Sequence, residues 1–63
     1  MNRIVILGGG GVMARVTARD IVERTPDATV LLADVRSEAA DDAAAWLRRV
    51  VPGAAARVDA AAV

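Results

Sequence analysis

The sequence predicts an α/β fold, a β-α-β-α-β unit with a three-stranded parallel sheet in the order 3-2-1 and two helices on one of its faces. Three observations predict it. The apolar period switches four times along 63 residues. The first two apolar runs do not alternate with polar residues, as strands of a parallel sheet do not. Each of these runs is followed by a segment of helical period, and the crossover between parallel strands is right-handed.

Residues 3–7 (Arg-Ile-Val-Ile-Leu) are apolar and β-branched after the arginine, which reads as a strand buried on both faces. Four consecutive glycines, 8–11, make a turn. From 12 to 24 the period is helical: Ala14, Ala18, Ile21 and Val22 share one face, and Arg15, Arg19 and Glu23 the other. Asp20 and Arg24 stand at i,i+4 in the favourable order. Thr25-Pro26-Asp27 stops this helix. Residues 28–34 (Ala-Thr-Val-Leu-Leu-Ala-Asp) are the second strand. A second helix over 37–51 has the inner stripe Ala40, Ala43, Ala44, Leu47, Val50 and Val51, with Trp46 at its margin. Its outer face carries Glu38, Asp41, Asp42, Arg48 and Arg49, acids early and arginines late, which suits the helix dipole. Ser37 is its expected N-cap, and Pro52-Gly53 ends it. Residues 56–63 are the third strand.

Composition narrows the function. All eight basic residues are arginine and eight residues are acidic, so the formal charge is zero and favours neither nucleic acid nor an anionic membrane. Histidine, cysteine, lysine and tyrosine are absent. The commonest general bases and nucleophiles are therefore missing, and no catalytic residue is assigned. No Cys/His metal site is possible. Asp41-Asp42 suits a solvated helix face better than a metal pair. The start of the chain is too rich in glycine, and too soon interrupted by Arg15 and Arg19, for a signal peptide. No apolar run approaches the ~20 residues of a membrane span. The expectation is one cytoplasmic domain over residues 1–63 with no internal boundary.

The glycine run carries the chemistry. Two registers of G-x-G-x-x-[G/A] fit it, ending at Met13 or at Ala14. The third position must be small, because helix and strand approach closely there, so the choice falls on Gly9, Gly11 and Ala14. Gly9 is then expected to make the tight turn and Gly11 to let the backbone approach a pyrophosphate. The first helical amides would point at that anion. A phosphate loop of the lysine-bearing kind is excluded by the absence of lysine. Asp34 lies twenty positions after Ala14, at the end of the second strand, where a carboxylate can accept from ribose hydroxyls. It also suits a helix N-cap or an Asx turn, and the roles can coexist. Asp34 favours NAD over NADP, since a 2′-phosphate ~4 Å away at an effective dielectric of ~20 is repelled by about 4 kcal/mol. Arg36 keeps NADP open, or is simply solvated. A glycine-rich turn that binds nothing is the plainer alternative.

Residues 6–20 (Ile-Leu-Gly-Gly-Gly-Gly-Val-Met-Ala-Arg-Val-Thr-Ala-Arg-Asp) and 32–36 (Leu-Ala-Asp-Val-Arg), followed by an alanine-rich helix, resemble the N-terminal cofactor domain of the saccharopine dehydrogenase family. The resemblance implies a Rossmann-like half domain that binds NAD or NADP. It implies that Gly9, Gly10, Gly11, Val12 and Met13 line the cofactor phosphates and that Asp34, Val35 and Arg36 hold the adenosine ribose. It also implies an oxidoreductase acting on an amino-acid-type C–N bond, of which this chain is an incomplete part. Ala14 replaces the family's usual third glycine. A non-catalytic dinucleotide-sensing module and a non-binding remnant are the alternatives. With both helices on one face, the other sheet face is expected to be bare and to take the remainder of the enzyme or a second copy.

Overall fold

A computed structural model describes residues 2–63. β1 (Asn2–Leu7) leads through the glycine turn into α1 (Val12–Arg24), then β2 (Ala28–Asp34), α2 (Ser37–Val50) and β3 (Val58–Ala62), the last preceded by a 3-10 turn, Ala55–Arg57. The three strands are parallel in the order β1-β2-β3, with Ile4 opposite Val30 and Val30 opposite Val58. This is the expected α/β unit.

One face of the sheet holds the core. Val30 and Leu32 of β2 point to the same side and meet Ala18 and Val22 of α1, Ala43, Ala44 and Leu47 of α2, and Val58 of β3. Both helices therefore lie on that side. Alanine dominates the helical contribution, which lets α2 approach the sheet closely. Trp46 sits half-buried at the edge of this cluster.

The opposite face is open. Val5 is 51% exposed and Leu7 76%, while Leu31 beside them is half-buried and Ala33 is covered. β1 is thus not buried on both faces within this chain: Ile4 and Ile6 are half-buried on the helical side, and nothing among the described residues covers Val5 and Leu7. On α1, Val12, Met13 and Val16 are also exposed.

Several boundaries differ from expectation: β1 starts one residue earlier, at Asn2, and β3 ends one residue earlier, at Ala62. α2 ends at Val50, and Val51 is its C-cap, its amide donating to Leu47 O at 3.0 Å. The third strand starts at Val58 rather than 56, because Arg57 is held in the preceding turn. Its guanidinium donates to the carbonyls of Val22, Thr25 and Ala28 at 3.1–3.2 Å. Ser37 is not the N-cap of α2: Arg36 takes that position, no side chain caps it, and Ser37 is the first helical residue. Asp34 explains this, since its Oδ1 accepts from the Arg36 amide (2.9 Å) and turns the chain one residue earlier. The i,i+4 pair Asp20–Arg24 forms at 2.6 Å, and Arg19–Glu23 makes a second one.

Candidate functional site

The site lies where β1 gives way to α1, beside the end of β2. The turn is tight for reasons local to each glycine. Gly8 has φ +71°, a conformation that disfavours a Cβ. Gly9 lies against β2, where a Cβ would stand 2.7 Å from the Leu32 Cβ and 2.9 Å from its Cα. Gly10 faces α2, and a Cβ there would strike Ala39 and come within 3.0 Å of Asp34 Oδ2. The left-handed residue is therefore Gly8, and Gly9 serves close approach rather than the turn itself. Gly11 is the N-cap of α1, and a Cβ on it would meet only Gly8 O, at 3.4 Å. That side of Gly11 is otherwise open. Ala14 is half-buried and Met13 is 77% exposed, so the small residue is the one turned inward.

Asp34 and the turn form one unit. Asp34 is 5% exposed, and its Oδ2 accepts from the Gly10 amide at 3.0 Å, across 24 residues of chain. Its Oδ1 accepts from the Arg36 amide at 2.9 Å and lies 3.5 Å from Arg36 Nε. The Arg36 amide, then the Gly10 amide, and more weakly the Arg36 guanidinium hold this carboxyl below the usual carboxylate range, against the opposing effect of burial. It is a fixed anion. Each carboxylate oxygen keeps acceptor capacity beyond its backbone partner.

The loop amides divide into two groups. Gly9 N donates to Ala33 O, Gly10 N to Asp34 Oδ2 and Gly11 N to Gly8 O, each at 3.0 Å. These three nitrogens are engaged internally. The first bond of α1 runs from Arg15 N to Gly11 O (3.0 Å), so the amides of Val12, Met13 and Ala14 precede any intrahelical partner. They are the donors an anion would meet.

Beside Asp34 lies a hollow of about 520 Å³, walled by Val35, Arg36, Ser37, Glu38, Ala39 and Asp42. Val35 and Arg36 were expected in the site from the sequence. Ser37, Glu38, Ala39 and Asp42 were not, because the helical period assigns Glu38 and Asp42 simply to the outer face. The contact of Ala39 with Gly10 brings the start of α2 against the glycine turn, and that contact joins residues 29 positions apart. Asp41 stands exposed on α2, and no group of three metal-ligating side chains occurs among the described residues. No helix among them is long and apolar enough to cross a membrane.

Comparison of the chain with protein-family models, with curated proteins and with solved structures finds no match.

Proposed function

We propose that the chain is the N-terminal cofactor-binding part of a cytoplasmic NAD(P)-dependent oxidoreductase of the saccharopine dehydrogenase type, acting on an amino-acid-type C–N bond. The observation that carries the binding half of this reading is the bond from the Gly10 amide to Asp34 Oδ2, which makes the glycine turn and the acid a single site. The residues fit a dinucleotide. Val12, Met13 and Ala14 offer unengaged amides at a helix N-terminus to a diphosphate, Gly11 leaves the backbone approachable, and Asp34 offers acceptor oxygens to ribose hydroxyls. When bound, the nicotinamide supplies hydride transfer. This chain's residues bind and orient the other end of the molecule, and the reaction itself rests on the family resemblance of residues 6–20 and 32–36. The bare sheet face would take the rest of the enzyme or a second copy of the chain.

A non-binding turn is the second reading. It is favoured by the internal engagement of three glycine amides and by the packing of Gly9 and Gly10, which require glycine whether or not a ligand exists. Titration with NADH separates the two, followed through Trp46 and nicotinamide fluorescence. Saturable binding that weakens at least about tenfold in Asp34→Asn is expected, from loss of a charge-assisted hydrogen bond to ribose. Circular dichroism confirms that the variant is folded. No saturable change in the folded wild-type chain would favour the non-binding turn.

A further inference from the structure

The open sheet face has a pattern of its own, and what covers it does not depend on what the glycine turn binds. β1 sends Arg3, Val5 and Leu7 to that face, and β3 sends Asp59 and Ala61, with Leu31 of β2 between them. The face is uneven in two respects. Its β1 side is bulky and its β3 side shallow: Leu7 is 76% exposed and lies level, through Ala33, with the small Ala61. Its charge is divided as well. Arg3 on the β1 side and Asp59 on the β3 side flank a hollow of about 330 Å³ with Leu31 between them. Arg3 makes no ion pair among the described residues, and Asp59 meets only Arg48, at 3.9 Å, with its side chain 84% exposed.

A surface that fits this face is shallow over β1 and raised over β3, negative near Arg3 and positive near Asp59. The same face, turned about a two-fold axis that runs along β2, has all four properties. That rotation sets β1 of one copy over β3 of the other. Leu7 then lies over Ala61 of the second copy. Arg3 comes near Asp59 of the second copy, offset by two residues, or about 7 Å, along the strand. Across sheets packed ~10 Å apart, the two side chains together bridge that offset. Each contact occurs twice. An axis across the strands does the opposite: it sets bulky edge on bulky edge and like charge over like. The area is sufficient too. A specific interface hides about 600 Å² or more of each partner, which is about a sixth of the 3875 Å² this chain exposes, the share of one side of so small a body.

We propose that the open sheet face is the interface of a two-fold symmetric homodimer, in which β1 of each copy packs over β3 of the other and Arg3 pairs with Asp59 across the interface. Burial of Val5, Leu7 and Leu31 supplies the attraction, and the two ion pairs set the orientation.

Sedimentation equilibrium tests this on the whole chain, on Arg3→Asp, on Asp59→Arg and on the double exchange Arg3→Asp/Asp59→Arg, with circular dichroism to establish folding. The wild type is expected to form dimers. Each single reversal sets like charges together twice and weakens the dimer about tenfold or more, and the double exchange restores both pairs and brings association back to within about threefold of the wild type. Raising salt from about 0.05 M to about 1 M weakens the wild-type dimer in the same direction, and this reading decides the matter where a variant is unfolded. Monomers at every concentration overturn the proposal and leave the face to another part of the enzyme. Dimers that ignore the single reversals, that the double exchange does not recover, or that salt does not weaken overturn the orientation and the pairing with it.

Discussion

Asp34 is where a single side chain does most to shape this molecule. It is buried and charged, and such a group is tolerated only when its oxygens are satisfied. Two backbone amides do so, one from the turn before α1 and one from the turn before α2. Its position at a strand end is legible in the sequence, and so is its suitability for an Asx turn. Its bond to Gly10 is not, because that depends on how closely α2 presses Ala39 onto the glycine turn. A pH dependence follows. The folded-state pKa is depressed, so the unfolded chain binds the proton first as pH falls. The stabilisation is complete above the unfolded value of about 4 and is lost as pH falls through the lower folded value. Urea midpoints between pH 7 and pH 3 should drop more in the wild type than in Asp34→Asn; equal slopes would show that Asp34 does not carry the effect.

Among the elements, the helices and the first two strands follow closely from local pattern. α1 and β2 coincide with the expected spans because Gly11 and Pro26 interrupt the apolar period on either side of α1, and Pro26 and Asp34 bound β2. The third strand is the exception. Its alanines give a weak strand signal, and its start is decided by Arg57. That side chain ties the 3-10 turn to carbonyls of Val22, Thr25 and Ala28, from 29 to 35 residues earlier in the chain. It thereby closes the C-terminal end of α1, where carbonyls lack intrahelical donors. Hydrogen bonds from a charged donor contribute about 1.5–3 kcal/mol, whereas exposed i,i+4 pairs such as Asp20–Arg24 contribute about 0.3–0.5 kcal/mol. Replacing Arg57 with alanine should therefore lower unfolding stability by about 2 kcal/mol, and replacing Arg24 by well under 1 kcal/mol, both measured by urea unfolding. A comparable loss from the two would remove Arg57 from this role.

At the scale of the whole molecule, the sheet is covered on one side only. A chain of about this length buries only some 60% of its unfolded surface, so it has little core to spare. The open side presents Val5 and Leu7 beside Leu31. Adjacent exposed apolar residues of this kind favour association. The chain should show concentration-dependent self-association in sedimentation, and Val5→Thr/Leu7→Thr should reduce it by several-fold in association constant while keeping β-strand propensity. A monomer at every concentration, indifferent to these substitutions, would argue against an adhesive face.

The sequence by itself determined the parallel α/β unit, the helical faces, and the placing of an acid one strand away from a glycine turn. These are consequences of period, of turn residues and of the handedness of crossovers, all of which act over short stretches of chain. Tertiary structure alone decided which glycine takes which duty, because the limits at Gly9 and Gly10 come from Leu32 and Ala39. It alone brought Glu38 and Asp42 to the wall of a hollow beside Asp34. Close approach between distant segments depends on how elements pack, and a linear pattern of apolar and polar residues does not encode that distance.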